Sequence, residues 1–429
     1  MVTSTALFTD QYELTMLSAA LRDGSAHRAC TFEVFARRLP DGRRYGVVAG
    51  TGRFLDALRD FRFGEDELAS LSFLEADTLD WLRNYRFGGD IDGYREGELF
   101  FPGSPVLSVR GTFAECVILE TLALSIYNHD SAIAAAATRM VSASDGRPLI
   151  EMGSRRAHEE AAVASSRVAY ICGFAATSNL EAVRRHGIPG AGTSAHAFTL
   201  LHTGVDGPDE AAAFRSQIAA LGVGTTLLVD TYDITAGVAT AIEVAGPELG
   251  GVRIDSGDLG VLARQVRRQL DDLGATSTRI VVSGDLDEYA IASLRAEPVD
   301  TYGVGTSVVT GSGAPTAGMV YKLVEVDGIP VAKRSSHKES RGGRKRAVRL
   351  ARSTGTVVEE LVMKAGAPLP ATDPYTVREL SVPMVRGGEI MHTATVEDAR
   401  TLVAEGLRSL PWEGLGLSQG DPAVPTVFS

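Results

Sequence analysis

The stretch GVRIDSGDLG, residues 251–260, is an apolar run that ends in a cation and two carboxylates. Continuous apolar runs, as opposed to alternating ones, mark parallel strands covered on both faces. Alternate side chains of a strand share a face, so Arg253 and Asp255 point the same way at the strand's C-terminal end. The same pattern repeats on either side: PLIEMGSR (148–155), YICGFAATSN (170–179), IPGAGTSAH (188–196), TTLLVDTYD (225–233), RIVVSGDLD (279–287) and VDTYGVGTS (299–307). Each run ends in a short polar motif and precedes a helical pattern. The spacing, roughly 20–35 residues, is that of a β/α unit. The expectation is an irregular (β/α) barrel, with fewer than eight regular units as one form of it. Arg155, Thr177, His196, Asp230, Arg253, Asp255, Asp285 and Thr306 all fall just past strand ends. That is the face that carries the active site in barrels of this type.

In GTSAHAF (192–198) a short apolar approach meets a Gly-Thr-Ser turn and then a helical pattern, placing His196 in a first helical turn. Free N–H groups and the positive helix end favour anions there and disfavour imidazolium. The expectation is a neutral, nucleophilic His196, as a phosphoryl acceptor requires. A helix-start histidine bonding a backbone carbonyl fits the same residues. Arg253 can clamp a carboxylate or phosphate, and Asp255 can bond ribose hydroxyls, hold Mg²⁺ or face developing positive charge. An internal Arg253–Asp255 pair fits equally. SGDLDEY (283–289) and YGVGTS (302–307) are Gly-containing strand-to-helix turns suited to seating phosphate. LVDTYD adds Asp230, Thr231 and Asp233, and EMGSRR adds two arginines beside Met152. There is no HxH, HExxH or Walker A lysine motif, which sets aside the corresponding zinc and P-loop chemistries.

The chain has 429 residues, 44% hydrophobic and 22% charged, the profile of an ordinary globular protein with a sizeable core. A net charge of −12 argues against nucleic-acid or membrane-surface binding. Three cysteines without CxxC spacing suit a reducing cytosol. No signal-like start and no long apolar run are present, so a cytoplasmic location is expected.

Residues 1–112 read as mixed α and β. A helix is expected from TDQYELTM to Gly24, followed by two strands around a Pro-Asp-Gly turn in FEVFARRLPDGRRYGVVAG. Helical pieces are expected at 52–58, 65–71 and 78–85, strands at 91–94 and 106–109, and one long Ala-rich helix at 115–142. After the barrel, MVYKLVEVDGIPVAKRSS reads as a hairpin about Asp327-Gly328. The basic run Lys333–Arg349 reads as a solvated surface or as a segment reaching phosphates. Strands at 357–363 and 380–384 and a helix at 396–407 complete the chain. The expected domains are 1–112, a barrel at 113–334, and a C-terminal segment at 335–429 packing with the first.

TDQYELTM, FEVFARRLP, GSRRAH, GFAATSNLEA, GTSAHAF, LVDTYDITAG, RIDSGDLG, SGDLDE, YGVGTSVVT and KESRGGRK, in that order and across nearly the whole chain, resemble the nicotinate phosphoribosyltransferase family. The resemblance implies an irregular α/β barrel of type II phosphoribosyltransferases plus an α+β domain built from both chain termini, in a homodimer that completes each site. It implies formation of nicotinate mononucleotide and pyrophosphate from nicotinate and 5-phosphoribosyl-1-pyrophosphate (PRPP) for NAD salvage. ATP hydrolysis would be coupled through a phosphohistidine, with Mg²⁺. His196 matches the phosphorylated histidine, and Asp230 and Asp255 the acidic residues around histidine, ribose and metal. Tyr12 matches the aromatic that stacks on the pyridine ring. Arg155 and Arg253 match arginines near base and phosphates, and Gly284, Gly303, Gly305 and Thr306 fall in the phosphate turns. Thr177 and Ser178 line the base pocket. Nicotinamide-using relatives carry Asp where Ser178 stands, so Ser178 favours nicotinate. Met152 stands where many members have Phe, and Gly342 where a Pro precedes Gly. A nicotinamide or quinolinate phosphoribosyltransferase and a silent pyridine-nucleotide sensor are the alternatives. GTSAH argues against the quinolinate enzyme, and intact His196, Asp230 and Asp255 argue against the sensor.

Overall fold

The computed structural model describes residues 4–333 and 341–429. The chain forms two compact units, residues 136–313 and residues 1–135 with 314–429.

In the 136–313 unit the repeated apolar runs form a six-stranded sheet. Its order is Thr226–Leu228, Gly251–Ile254, Arg279–Gly284, Thr301–Val304, Leu149–Glu151, Ala176–Thr177. Every pairing is parallel. The sheet curls into a half-barrel. The approach to His196 contributes one bridge, Thr177 to Gly190, in place of a full strand. Val252 and Ile254 are fully buried while Arg253 between them is part-exposed. This is the alternation that puts Arg253 on the inner face with Val281 and Ile150. Helices follow the strands, and the turns between them are capped by their own side chains. Asp233, Asp258 and Asp287 accept from the N–H groups of Ala236, Val261 and Ala290 at their helix starts. Gly237 lets its helix lie against the preceding strand, since a Cβ there would sit 2.3 Å from the Val229 carbonyl oxygen.

The other unit is built from both chain ends. Its seven-stranded antiparallel sheet sets Ala29–Ala36 between Met319–Val326 and Leu107–Thr112, and Ser381–Arg386 beside Asp90–Tyr94. The compact barrel unit is therefore shorter than the expected 113–334. Ile118, Leu119, Leu122, Ala123 and Tyr127 join the sheet's core, and Met319–Val326 is one of its strands. The long Ala-rich helix is two, Phe113–Val117 and Glu120–Ser144. The opening helix Gln11–Asp23 ends at Gly24, with φ +82°. The hairpin turns at Asp327 and Gly328 as expected. The two strands around Pro-Asp-Gly exist but do not pair with one another. Gly46–Val47 pairs instead with Leu99–Phe100, a sequence-distant partner.

The basic run is not one surface. Residues 334–340 lie outside the described residues, but Lys345–Ala351 is a strand; of the run's cations Arg349 is buried and the Lys345 side chain is only 10% exposed. Lys345 Nζ donates to Glu33 at 2.8 Å. Arg349 donates to Glu98 and Glu360, each at 2.6 Å, with all three side chains at most 2% exposed. Tyr94 OH donates to the other Glu360 oxygen at 2.8 Å, and Arg378 donates to Glu98. Burial disfavours each charge alone, whereas a connected set satisfies one charge with another. Arg349→Ala leaves two buried carboxylates short of a partner and should destabilise the protein by about 3–5 kcal/mol. Urea unfolding measures this, and a loss below about 1 kcal/mol contradicts the network's role.

Candidate active site

The C-terminal edge of the half-barrel gathers the site. Asp230 follows the strand Thr226–Leu228, and its side chain is 2% exposed. Its Oδ2 accepts from the Asp255 N–H at 2.8 Å and the Ser256 hydroxyl at 2.9 Å. Its Oδ1 is buried with no hydrogen-bond partner among the described residues. Asp255 follows the next strand, and its own Oδ1 takes the Ser283 hydroxyl proton in a short hydrogen bond. His196 is the first residue of a six-residue helix, His196–Leu201. Its Nδ1 lies 3.1 Å from Thr231 Oγ1. Its Nε2 stands 4.0 Å from Asp230 Oδ1 and 4.0 Å from Asp255 Oδ2. The two carboxylates that the family resemblance sets around this imidazole are both within reach of one ring nitrogen.

Arg253 is the most constrained group. Nε donates to Ser283 Oγ at 3.0 Å, Nη1 to the Ser194 carbonyl at 3.3 Å, and Nη2 to Asp255 Oδ1 at 3.3 Å. The clamp and the internal pair of the sequence reading therefore coexist, because the pair uses only part of the guanidinium's five donors.

Two cavities of about 690 Å³ each share Met152, Arg155 and Arg253 in their linings. One is edged by the turns at Gly284, Gly303, Gly305 and Thr306 and by Ser256–Gly260, with Arg156 and Asp285. Gly284 has φ +132°, and a Cβ on it would approach the Asp255 carbonyl to 3.1 Å. This turn needs Gly for conformation and for space. The other cavity runs along the inner face past Ser178, Ser194, Thr226, Ile150 and Val281. Met152 lies against Gly303, where a Cβ would be 2.8 Å from its sulfur, so the thioether and the glycine fit each other.

Thr177, expected to line the base pocket, turns away from it. It is 1% exposed and lines neither cavity. Its hydroxyl donates to Glu151 Oε2 at 2.6 Å and receives the Asn179 N–H at 3.0 Å. Glu151, fully buried, also takes the Ser166 hydroxyl at 2.7 Å. Thr177 and Glu151 thus brace two strand ends from behind, leaving Ser178 to face the cavity. Tyr12 belongs to the other unit, on Gln11–Asp23, and is 45% exposed. Burial and the neighbouring Glu120, Glu13 and Asp10 push its hydroxyl's pKa up.

Ser283, Ser256 and Glu210 were not singled out by the sequence. Ser283 carried a signal, since it lies in the quoted SGDLDE one residue before the turn glycine. Glu210, first in the helix Glu210–Leu221, carried none: it lies outside every strand-end motif. Burial, then Asp230 and Asp233, push its carboxyl up to about 7, and its Oε1 is buried without a partner among the described residues. A raised folded-state pKa in an acid means that stability falls as pH climbs from the unfolded value, near 4.5, toward about 7. Glu210→Gln should therefore raise the melting temperature relative to wild type at pH 8 and give no gain at pH 4. A pH-independent difference contradicts this assignment.

Among the described residues no group of three His, Cys, Asp or Glu side chains is assembled to hold a metal ion. The orphaned Asp230 Oδ1 nonetheless fits a cation that draws its remaining ligands from water and phosphate, the usual habit of Mg²⁺. The three cysteines are free and buried. Among the described residues no helix is long and apolar enough to cross a membrane.

A curled parallel sheet with glycine turns on its C-terminal edge, joined to an α+β unit from both termini, is the architecture of type II phosphoribosyltransferases. The crystal structure of human nicotinic acid phosphoribosyltransferase is similar, with TM-score 0.83 and 27% identity over 98% of this chain and 97% of that one. So is nicotinate-nucleotide pyrophosphorylase from Pyrococcus furiosus, with TM-score 0.78 and 26% identity over 94% of each chain. Residues 7–128 match the nicotinate phosphoribosyltransferase (NAPRTase) N-terminal domain. Nicotinate phosphoribosyltransferase pncB1 of Mycobacterium tuberculosis (strain ATCC 25618 / H37Rv) is 68% identical over 98% of this chain and 94% of its own length. The human nicotinate phosphoribosyltransferase is 32% identical over 89% and 86%. The chain belongs to the nicotinate phosphoribosyltransferase family.

Proposed function

We propose that this protein transfers the phosphoribosyl group of PRPP to nicotinate, giving nicotinate mononucleotide and pyrophosphate, as a cytoplasmic step of NAD salvage. The observation that carries this reading is the pair of cavities meeting at Arg155 and Arg253, in a chain 68% identical to a nicotinate phosphoribosyltransferase. One cavity offers glycine turns and arginines for a phosphorylated sugar. The other offers an apolar wall and the neutral hydroxyl of Ser178, which leaves a pyridine carboxylate unrepelled. Arginine binds carboxylate and phosphate alike, so both substrates can be held across one cationic ridge.

Breaking the C1′–pyrophosphate bond develops positive charge on the ribose ring. The Asp255 carboxylate, with Oδ2 directed away from its Ser283 bond, is suited to face that charge. The ring nitrogen of nicotinate supplies the electron pair that forms the new bond to C1′, and pyrophosphate leaves with the old one. Arg155, Arg253 and the turns at Gly284 and Gly305 orient the phosphates. Bound Mg²⁺ would neutralise phosphate charge, with Asp230 and Asp255 as its protein oxygens.

ATP hydrolysis is coupled, in this reading, through phosphorylation of His196. The imidazole has one nitrogen beside Thr231 and the other directed at the site. A phosphoryl group on Nε2 would meet Asp230 and Asp255, so its charge has to be offset by a cation. The working form is a homodimer in which Tyr12 of the partner subunit stacks on the pyridine ring.

The assay is product formation from PRPP with nicotinate or nicotinamide, each with and without ATP. Nicotinate should give mononucleotide, faster with ATP, while nicotinamide gives little; a lack of product from nicotinate sinks the reading.

His196→Ala should remain folded, lose the acid-labile label taken from γ-labelled ATP, and keep slow ATP-independent synthesis. Equal labelling of both proteins would overturn the placement of the phosphorylated residue.

A further inference from the structure

We propose that Ser283 is a positioning residue for this transfer: one hydroxyl holds the Arg253 guanidinium and the Asp255 carboxylate apart in a fixed arrangement, keeping each available to substrate. The inference rests on the phosphoribosyl-transfer reading above.

Arg253 and Asp255 are two residues apart and project to the same side of one strand end. Their direct contact is long, 3.3 Å from Nη2 to Oδ1. Left to themselves, a guanidinium and a carboxylate at this range close into a two-pronged ion pair. Such a pair would consume the Nη donors that bind anions and the oxygens that face developing positive charge. Ser283 comes from the adjacent strand, where Ile254 pairs with Val282. It is 3% exposed. Its oxygen accepts from Arg253 Nε at 3.0 Å and its proton goes to Asp255 Oδ1. A guanidinium only donates and an ionised carboxylate only accepts, so the hydroxyl's direction is fixed by its two partners.

The consequence is a division of labour within each group. Ser283 takes Nε, the Ser194 carbonyl takes one Nη1 proton and Asp255 one Nη2 proton. Two of the five N–H donors stay free of these bonds, on a residue that lines both cavities. On the carboxylate, Oδ1 is engaged by Ser283 and Arg253, and Oδ2 is turned to within 4.0 Å of His196 Nε2. The absence of a side chain at Gly303, whose Cβ would lie 3.1 Å from Ser283 Cβ, leaves room beside the hydroxyl.

The test compares wild type, Ser283→Ala, Ser283→Thr, Arg253→Lys and the Arg253→Lys/Ser283→Ala double variant, with melting temperatures as the check on folding. Kinetics are run with PRPP and nicotinate, and PRPP binding is measured separately by calorimetry. Ser283→Ala should raise KM for PRPP, lower kcat, and reduce kcat/KM by about tenfold to a hundredfold, the range for a hydrogen bond to a charged group. Ser283→Thr, which restores the hydroxyl, should recover most of that loss. The double variant should lose much less than the product of the separate losses, because Ser283 acts through Arg253. An active wild type matched by Ser283→Ala overturns the inference alone, as does a double variant whose losses simply multiply. A wild type inactive with PRPP and nicotinate removes the proposed function and this inference with it.

Discussion

The site depends on one register. Parallel pairing sets Arg253 opposite Val281 and Val281 opposite Thr301, which brings Arg253, Asp255 and Ser283 to a common edge. A one-residue slip would turn every inner-face side chain of the strand outward. Arg253 would then enter the helix layer unpaired, while Val252 and Ile254 lost their burial. The hydrophobic burial of those two residues is therefore what holds the guanidinium at the mouth of the cavities.

Around that register the fold sorts acidic residues by task. Asp233, Asp258 and Asp287 spend their oxygens on helix-start N–H groups. Asp230 and Asp255 come before those positions, nearer the strand ends, and face His196 instead. Glu151 and Thr177 use each other behind the edge. The result is a rim of mutually bonded side chains in which Asp230 Oδ1 has no hydrogen-bond partner among the described residues. A preorganised site of this kind needs little rearrangement when charge develops on a substrate.

The α+β unit solves a different problem. Its sheet takes strands from both chain ends, so its core forms only when residues nearly three hundred positions apart meet, as Cys30 and Val326 do. The Arg349–Glu98–Glu360 set adds a polar lock to that arrangement. Its geometry explains why a basic run that looks like a solvated face contributes a strand and a buried cation, Arg349.

The sequence by itself determined what is local. Apolar runs, glycine turns, caps and the helix at the N-terminus follow from chemistry within a few residues, and they were legible, as were His196, Asp230, Arg253 and Asp255 at strand ends. What spans the chain was decided by the tertiary structure alone. Gly46–Val47 chose Leu99–Phe100 over its neighbour, and Thr177 turned to a buried carboxylate rather than to the cavity. Glu210 had its carboxyl pushed upward by burial and then by acids 20 and more residues away. Two aspartates of one motif, Asp230 and Asp233, read alike in sequence because both are acids in a strand-to-helix turn. The backbone path shows that Asp233 meets free N–H groups of a helix and Asp230, as the family resemblance implied, a histidine together with a neighbouring strand.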